Sequence, residues 1–256
     1  MTPSSHNLAQ RVFRGGILIT LGTSVSMIIG FLIMPMIVNH LGDRLFGIWT
    51  LSGTLLGYFG FLDIGISKAV TRFVSQAIGQ NDDRQANKWI TAALFSFSCL
   101  SILGILLSIS IWRVTGHLFA DPQEAKTFPL VFLISGLAFS VTLPSRCFTG
   151  IIAAHVKQGA VSVVTVVTTL LRSGVIVWII ASGYSLVALV TANATATIVQ
   201  AILTTLVSYR IHGPIQVHLR ALQRTDWKTF LNYALVSFAS QIADIARSNS
   251  PALIIA

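Results

Sequence analysis

Charge is what this chain has least of. Only 8 of its 256 residues are acidic, and all charged residues together make up 10%, against about 25% in a soluble domain. That shortage excludes an ordinary water-soluble fold. Cysteine is almost as scarce: Cys99 and Cys147 both lie within apolar runs, so no disulfide framework is expected. The six histidines, at positions 6, 40, 117, 155, 212 and 218, show no metal-ligand spacing. No nucleophile motif, phosphate-cradling glycine loop or cofactor fingerprint is present. The sequence therefore predicts no enzyme, no metal and no cofactor.

Apolar length is what the chain has in abundance. Apolar residues make up 54% of it, in runs too long and continuous for the alternating strands of a membrane barrel. The fold class is all-α, a polytopic helical membrane protein. Six complete spans are expected at 16–38, 45–62, 89–112, 128–152, 160–181 and 185–207, each near the roughly 20 residues that cross hydrocarbon. Pro35 is expected to bend the first and Pro144 to kink the fourth. A seventh apolar run starts near Phe230 and reaches Ala256 with no polar flank. The chain reads as a six-helix lobe (1–208), a basic cytoplasmic linker (209–228) and the truncated first helix of a second lobe (229–256). On this reading it is a fragment of a longer protein.

Twelve of the 17 Lys and Arg fall in segments on one side of these spans, and three, Arg44, Arg113 and Lys126, on the other. The positive-inside rule then makes the N-terminus and the 208–228 segment cytoplasmic. The net charge of +9 is a topology signal. It is not gathered on one soluble face, so no nucleic-acid partner is expected.

The stretch 41–83 carries the most local information. Asp43-Arg44 forms a polar turn, and Gly47, Gly53, Gly57 and Gly60 in the next span would let another helix come close. Asp63-Ile64-Gly65 is expected to break the helix. Beyond it Ile66, Val70, Phe73, Val74 and Ala77 repeat at helical spacing, with Lys68 and Arg72 among them, as in a basic helix lying on the membrane surface. Asp63 would cap that helix, with ion coupling as the alternative. Lys68 and Arg72 suit contact with anionic lipid, or with a lipid phosphate entering from the cytosol.

LGDRLFGIW followed by LLGYFGFLDIGISKAVTRFVSQAIG resembles the second-helix signature of bacterial polysaccharide flippases. These are the O-antigen and teichoic-acid type transporters of the multidrug/oligosaccharidyl-lipid/polysaccharide exporter superfamily. The resemblance implies the N-terminal half of a two-lobe helical exporter in the bacterial cytoplasmic (inner) membrane. Its substrate would be a polyprenyl-pyrophosphate-linked oligosaccharide, flipped for surface-polysaccharide synthesis. Membrane lipids, a polysaccharide polymerase and other glycan-assembly proteins are the implied partners.

Three spans carry a polar face. On the fifth, Ser162, Thr165, Thr168 and Thr169 lead to Arg172. On the sixth lie Asn193, Thr197, Gln200 and Thr204, and on the seventh Ser237, Ser240, Gln241, Asp244 and Arg247 or Ser248. A charged side chain at a helix centre costs at least ~2.5 kcal/mol, which makes Arg172, Asp244 and Arg247 candidate site residues. A Ser/Thr stripe can equally be helix packing, and Asp244 can pair with Arg247. Arg172 has no acid within a turn. The three faces are expected to line one water-filled cavity. In it Arg172, helped by Arg247, would hold phosphate with its planar donor fork. Thr165, Thr168, Thr169, Asn193, Gln200, Gln241 and Asp244 would surround the head group, and two rocking bundles would move it across. Two other functions stay open: a cation-coupled drug exporter using Asp63 or Asp244, and a non-transporting membrane scaffold. The fragment alone is expected to be inactive.

Overall fold

The computed structural model describes residues 5–115, 122–216 and 224–254. They form seven helices: α1 (Ser5–Gly79), α2 (Asp83–Thr115), α3 (Pro122–Thr142), α4 (Ser145–Ala154), α5 (Gln158–Ala181), α6 (Leu186–His212) and α7 (Arg224–Ile254), with no strand among the described residues. Runs this apolar must satisfy every backbone N–H and C=O internally, and a helix does so within its own segment. Four stretches are long and apolar enough to cross a membrane, or five if α3 and α4 count as one bent span. The chain is a multi-pass membrane protein.

The first of these stretches, Gly15–Tyr58, runs for 44 residues. Straight, it would measure about 66 Å, twice the ~30 Å of hydrocarbon. One residue divides it. Gly42 has φ 70° and ψ 167° inside otherwise helical α1, a backbone that only a residue without Cβ adopts cheaply. The polar turn thus begins one residue before Asp43-Arg44. The α3–α4 break bends by 43° beside Pro144, where the fourth span was expected to kink.

Two expectations for the stretch after residue 45 are corrected. Asp63-Ile64-Gly65 is no break, because α1 stays helical from Asp43 to Gly79. Gly65 serves packing instead: a Cβ there would run into the backbone carbonyl of Ala234 and lie 3.2 Å from Phe238 Cβ, so α7 rests directly on the α1 backbone. Nor does the apolar stripe of the segment after it face lipid. Ala69, Val70 and Val74 are completely buried, in a cluster with Trp89, Ile90, Phe97, Ile151 and Phe230. The apolar stripe that looked amphipathic is one wall of a helix-packing core. Lys68 and Arg72 sit on its exposed flank.

Among the described residues, no helix meets the glycines of the second span. A Cβ at Gly47, Gly53, Gly57 or Gly60 would meet nothing within 4 Å. Close approach occurs at the α2–α3 crossing, where Gly104 faces Ser140 and Gly136 faces Ser108. Each of those serines donates to the carbonyl four residues back, Ser108 to Gly104 and Ser140 to Gly136, both at 2.7 Å. The pair of hydroxyls is satisfied locally and leaves two small, reciprocal notches.

A second core gathers Ile37, Leu41, Phe128, Phe132, Ile176 and Leu186. It joins the Gly42 kink to the start of α3 and to the α5–α6 turn. His40 Nε2 lies 2.8 Å from the carbonyl oxygen of Tyr184 in that turn. This second core fixes α5 and α6 as a hairpin against α1 and α3.

Candidate functional site: the groove between α5 and α6

The sequence turns sharply at Ser182-Gly183-Tyr184, where Gly183 takes φ 71°, so α5 and α6 run antiparallel. Two polar pairs cross between them. Gln200 Nε2 donates to Thr165 Oγ1 at 3.3 Å, and Arg172 donates to Asn193 Oδ1 at 3.1 Å. Seven residues separate the pairs on each helix, so they stack two turns apart on one register. The fifth-span and sixth-span stripes therefore face each other, as expected.

Beside these pairs lies a cavity of about 500 Å³, within the usual range for small-ligand sites. Leu171, Val175 and Trp178 of α5 and Ala188, Ala192 and Ala196 of α6 supply most of its apolar wall. The alanines recur every four residues, so a row of methyl groups leaves that face of α6 hollow. Arg172 is the one charged residue of the lining. Among the described residues its hydrogen-bond partner is Asn193 and it has no ion pair. A guanidinium with five N–H donors thus keeps most of them available at the edge of an apolar slot. Thr168 reaches the lining but is 5% exposed and donates to Val164 O at 2.8 Å. Thr169, 9% exposed, is not part of the lining. Both stand in helix packing more than in open space.

The third stripe is elsewhere, which corrects the expectation of one cavity shared by three helices. α7 packs against α1 and, less extensively, α2. Gln241 accepts a hydrogen bond from Lys68 Nζ. The Arg72 guanidinium lies 4.3 Å from the Tyr233 ring centroid, a cation–π contact. The two residues expected to greet lipid phosphate thus help fasten α7 to α1. Ser237 is buried on the same helix and Asp244 is exposed. The Arg247 side chain, and with it any pairing to Asp244, lies outside the described residues.

Asp63 is not a helix cap. Its carboxylate is buried and bonded to Arg146 Nη1 at 3.0 Å and to Ser67 Oγ at 2.7 Å. Arg146 follows the Pro144 bend on α4, and its guanidinium reaches α1 through this ion pair while staying half exposed. Asp226 lies in the first turn of α7 and also bonds Lys88 at 2.6 Å, tying α7 to α2. A second, polar cavity of about 580 Å³ opens there, lined by Arg84, Lys88, Asn87 and His212 among others. At its rim His212 Nδ1 lies 3.0 Å from His155 Nε2. Burial and the neighbouring imidazole and Lys157 push the His155 pKa below its ordinary value; burial lowers that of His212, partly offset by Asp83. No group of three or more metal-ligating side chains exists among the described residues.

Residues 12–256 match the family described as polysaccharide biosynthesis protein. A Shigella flexneri protein named for O-antigen transport is 24% identical over 145 residues, which is 56% of this chain and 34% of that protein. Among solved structures, a MOP superfamily transporter from Pyrococcus furiosus superposes with TM-score 0.74 at 15% identity, covering 93% of this chain and 54% of that one. An outward-facing multidrug resistance MATE family transporter of the same superfamily superposes with TM-score 0.74 at 17% identity, over 93% and 54% of the two chains. The chain thus covers about a third of the curated relative and just over half of the solved transporters. With a match over nearly its whole length, the chain belongs to the polysaccharide biosynthesis protein family, and it shares its fold with these solved transporters.

Proposed function

We propose that this chain forms part of a flippase that carries a polyprenyl-pyrophosphate-linked oligosaccharide across the bacterial cytoplasmic membrane. In this reading the N-terminus is cytoplasmic and α1 contributes two spans, one on each side of Gly42. The spans of α2, the bent α3–α4 unit, α5 and α6 complete a six-span lobe, and α7 opens the next lobe. Alternating access against that second lobe moves the head group.

The observation that carries the reading is Arg172. A charge in mid-span is costly unless water, a partner or a ligand meets it, and here the described partner is one neutral amide. A phosphate oxygen pair matches the guanidinium fork, and water exclusion strengthens that contact. Asn193 orients the guanidinium, while Thr165 and Gln200 offer hydroxyl and amide groups to the sugars nearest the phosphate. A cation exporter is less well served, because its site needs an acid and the groove lining contains none.

Arg172→Ala in a full-length transporter that contains this chain, expressed in a host lacking its own flippase, is expected to insert normally and to lose surface polysaccharide. Undiminished polysaccharide from a correctly inserted Arg172→Ala protein would remove the assignment.

A further inference from the structure

The α5–α6 groove is not uniform along its length. On one side of Arg172 it includes Thr168 and Thr195 beside Ala196 and Val199, next to the Thr165–Gln200 pair. On the other side it is bounded by Val175, Ile179, Ala188, Ala192 and Thr191, whose hydroxyl donates to Ala188 O at 2.9 Å, and it closes against Trp178 and Tyr184, whose ring centroids are 5.7 Å apart. Arg172 stands at the boundary. From Arg172 to Trp178 the apolar part runs six residues along α5, about 9 Å at helical rise.

We propose that the apolar half of this groove seats the start of the isoprenoid chain of the carrier lipid, with its phosphate on Arg172 and its sugars toward Thr165 and Gln200. The proposal rests on the flippase reading above and adds to it where the tail goes and which way the lipid points. A hydrocarbon chain gains little by leaving lipid for an apolar groove. The gain is positional: a chain held in line with Arg172 presents its phosphate to the guanidinium in one orientation, so that less freedom is lost when the ion pair forms. The alanine row makes the slot. Larger side chains at 188 or 192 would fill it without touching the arginine.

The chemistry of a phosphate on an apolar chain is shared by isoprenyl phosphates and by glycerophospholipids, so the test separates them. Native mass spectrometry of the full chain purified in detergent would be titrated with a polyprenyl phosphate, with phosphatidylglycerol and with inorganic pyrophosphate. Polyprenyl phosphate is expected to bind best, and Ala192→Phe to weaken it about tenfold or more, the discrimination that one or two methylene-sized clashes give. Pyrophosphate binding should be unaffected by Ala192→Phe and lost in Arg172→Ala. Leu170→Phe, on an exposed position outside the groove lining, should change none of the three. Should Ala192→Phe not insert, Ala192→Leu and Ala188→Leu are read instead.

Polyprenyl phosphate binding that survives the filled groove but not Arg172→Ala overturns the tail seat and leaves the head-group reading standing. Loss in Ala192→Phe with full retention in Arg172→Ala overturns the head-group reading and, with it, the phosphate placement proposed here. Equal binding and equal loss for phosphatidylglycerol overturns the isoprenoid assignment.

Discussion

Two regions of this bundle each bring polar side chains together among apolar helices, with opposite results. Where the end of α1 meets α2, α4 and α7, charges find partners: Asp63 with Arg146, Lys88 with Asp226, Lys68 with Gln241, Arg72 with the Tyr233 ring. Backbones touch there at Gly65. Between α5 and α6 a single arginine has one amide partner and an open apolar slot beside it. The difference teaches how to read a charge in a membrane helix. A charge consumed by neighbours fastens helices together; a charge left with spare donors beside a cavity is placed for something that is not part of the fold.

The comparison breaks most visibly at Gly65. Gly65→Leu must push α7 away from α1, because the clash is with backbone. The expected cost is ~3 kcal/mol or more, the upper end for overpacking, read as a lowered Tm in detergent and faster proteolysis before residue 224. Gly57→Ala, with nothing within 4 Å, should leave stability unchanged or raise it by up to ~1 kcal/mol through helix propensity. Equal effects at the two glycines would mean that α7 is not docked on α1.

Arg172→Ala sharpens the same contrast from the other side. Transport should fall by about tenfold to a hundredfold, the loss of a charge-assisted contact, while Tm changes little because the side chain is exposed. Arg172→Lys should recover only part of the loss, since an ammonium cannot make the fork contact. A large drop in Tm for Arg172→Ala would move this arginine into the fastening class.

Asp63→Asn should behave in the reverse way. It leaves Arg146 without its anion, although that arginine is half exposed and partly solvated. We expect a loss of ~1–3 kcal/mol in stability, with Ser67→Ala in the same direction and smaller.

The smallest effect concerns His155 and His212. Both fold with pKa values below the ordinary one, so the folded state resists protonation more than the unfolded chain does. Their contribution is fully present above the ordinary histidine pKa of ~6.5 and is lost as pH falls through the folded values. Thermal stability should decline on acidification from neutral, and His155→Gln should flatten that decline. A pH profile unchanged by the substitution would show that the two rings do not couple.

How much of this was legible beforehand differs from residue to residue. The stripe from Thr165 to Arg172 and the one from Asn193 to Gln200 were visible, because helical spacing fixes which side chains share a face. That they face each other in register follows from the short turn at Gly183. The α7 stripe was equally visible, but its partner was not. Spacing gives a face and never the neighbour, and the neighbour proved to be α1, selected by the missing Cβ of Gly65 and the ring of Tyr233. Gly47, Gly53 and Gly57 show the same limit: a small residue permits an approach that another helix has to make. The Asp63–Arg146 pair shows it again: both charges were visible, but that they meet depends on α4 packing against α1, which spacing does not give.

The sequence by itself determined the all-helical membrane class of this protein, the Pro144 kink and the residues whose polarity is out of place in a membrane, because hydrocarbon penalises polar groups and so makes local composition decisive. The tertiary structure alone decided which of those residues are fastenings and which is exposed to a cavity. That distinction depends on which helix stands opposite each polar face, and contacts between segments far apart in the chain leave no local periodicity to read.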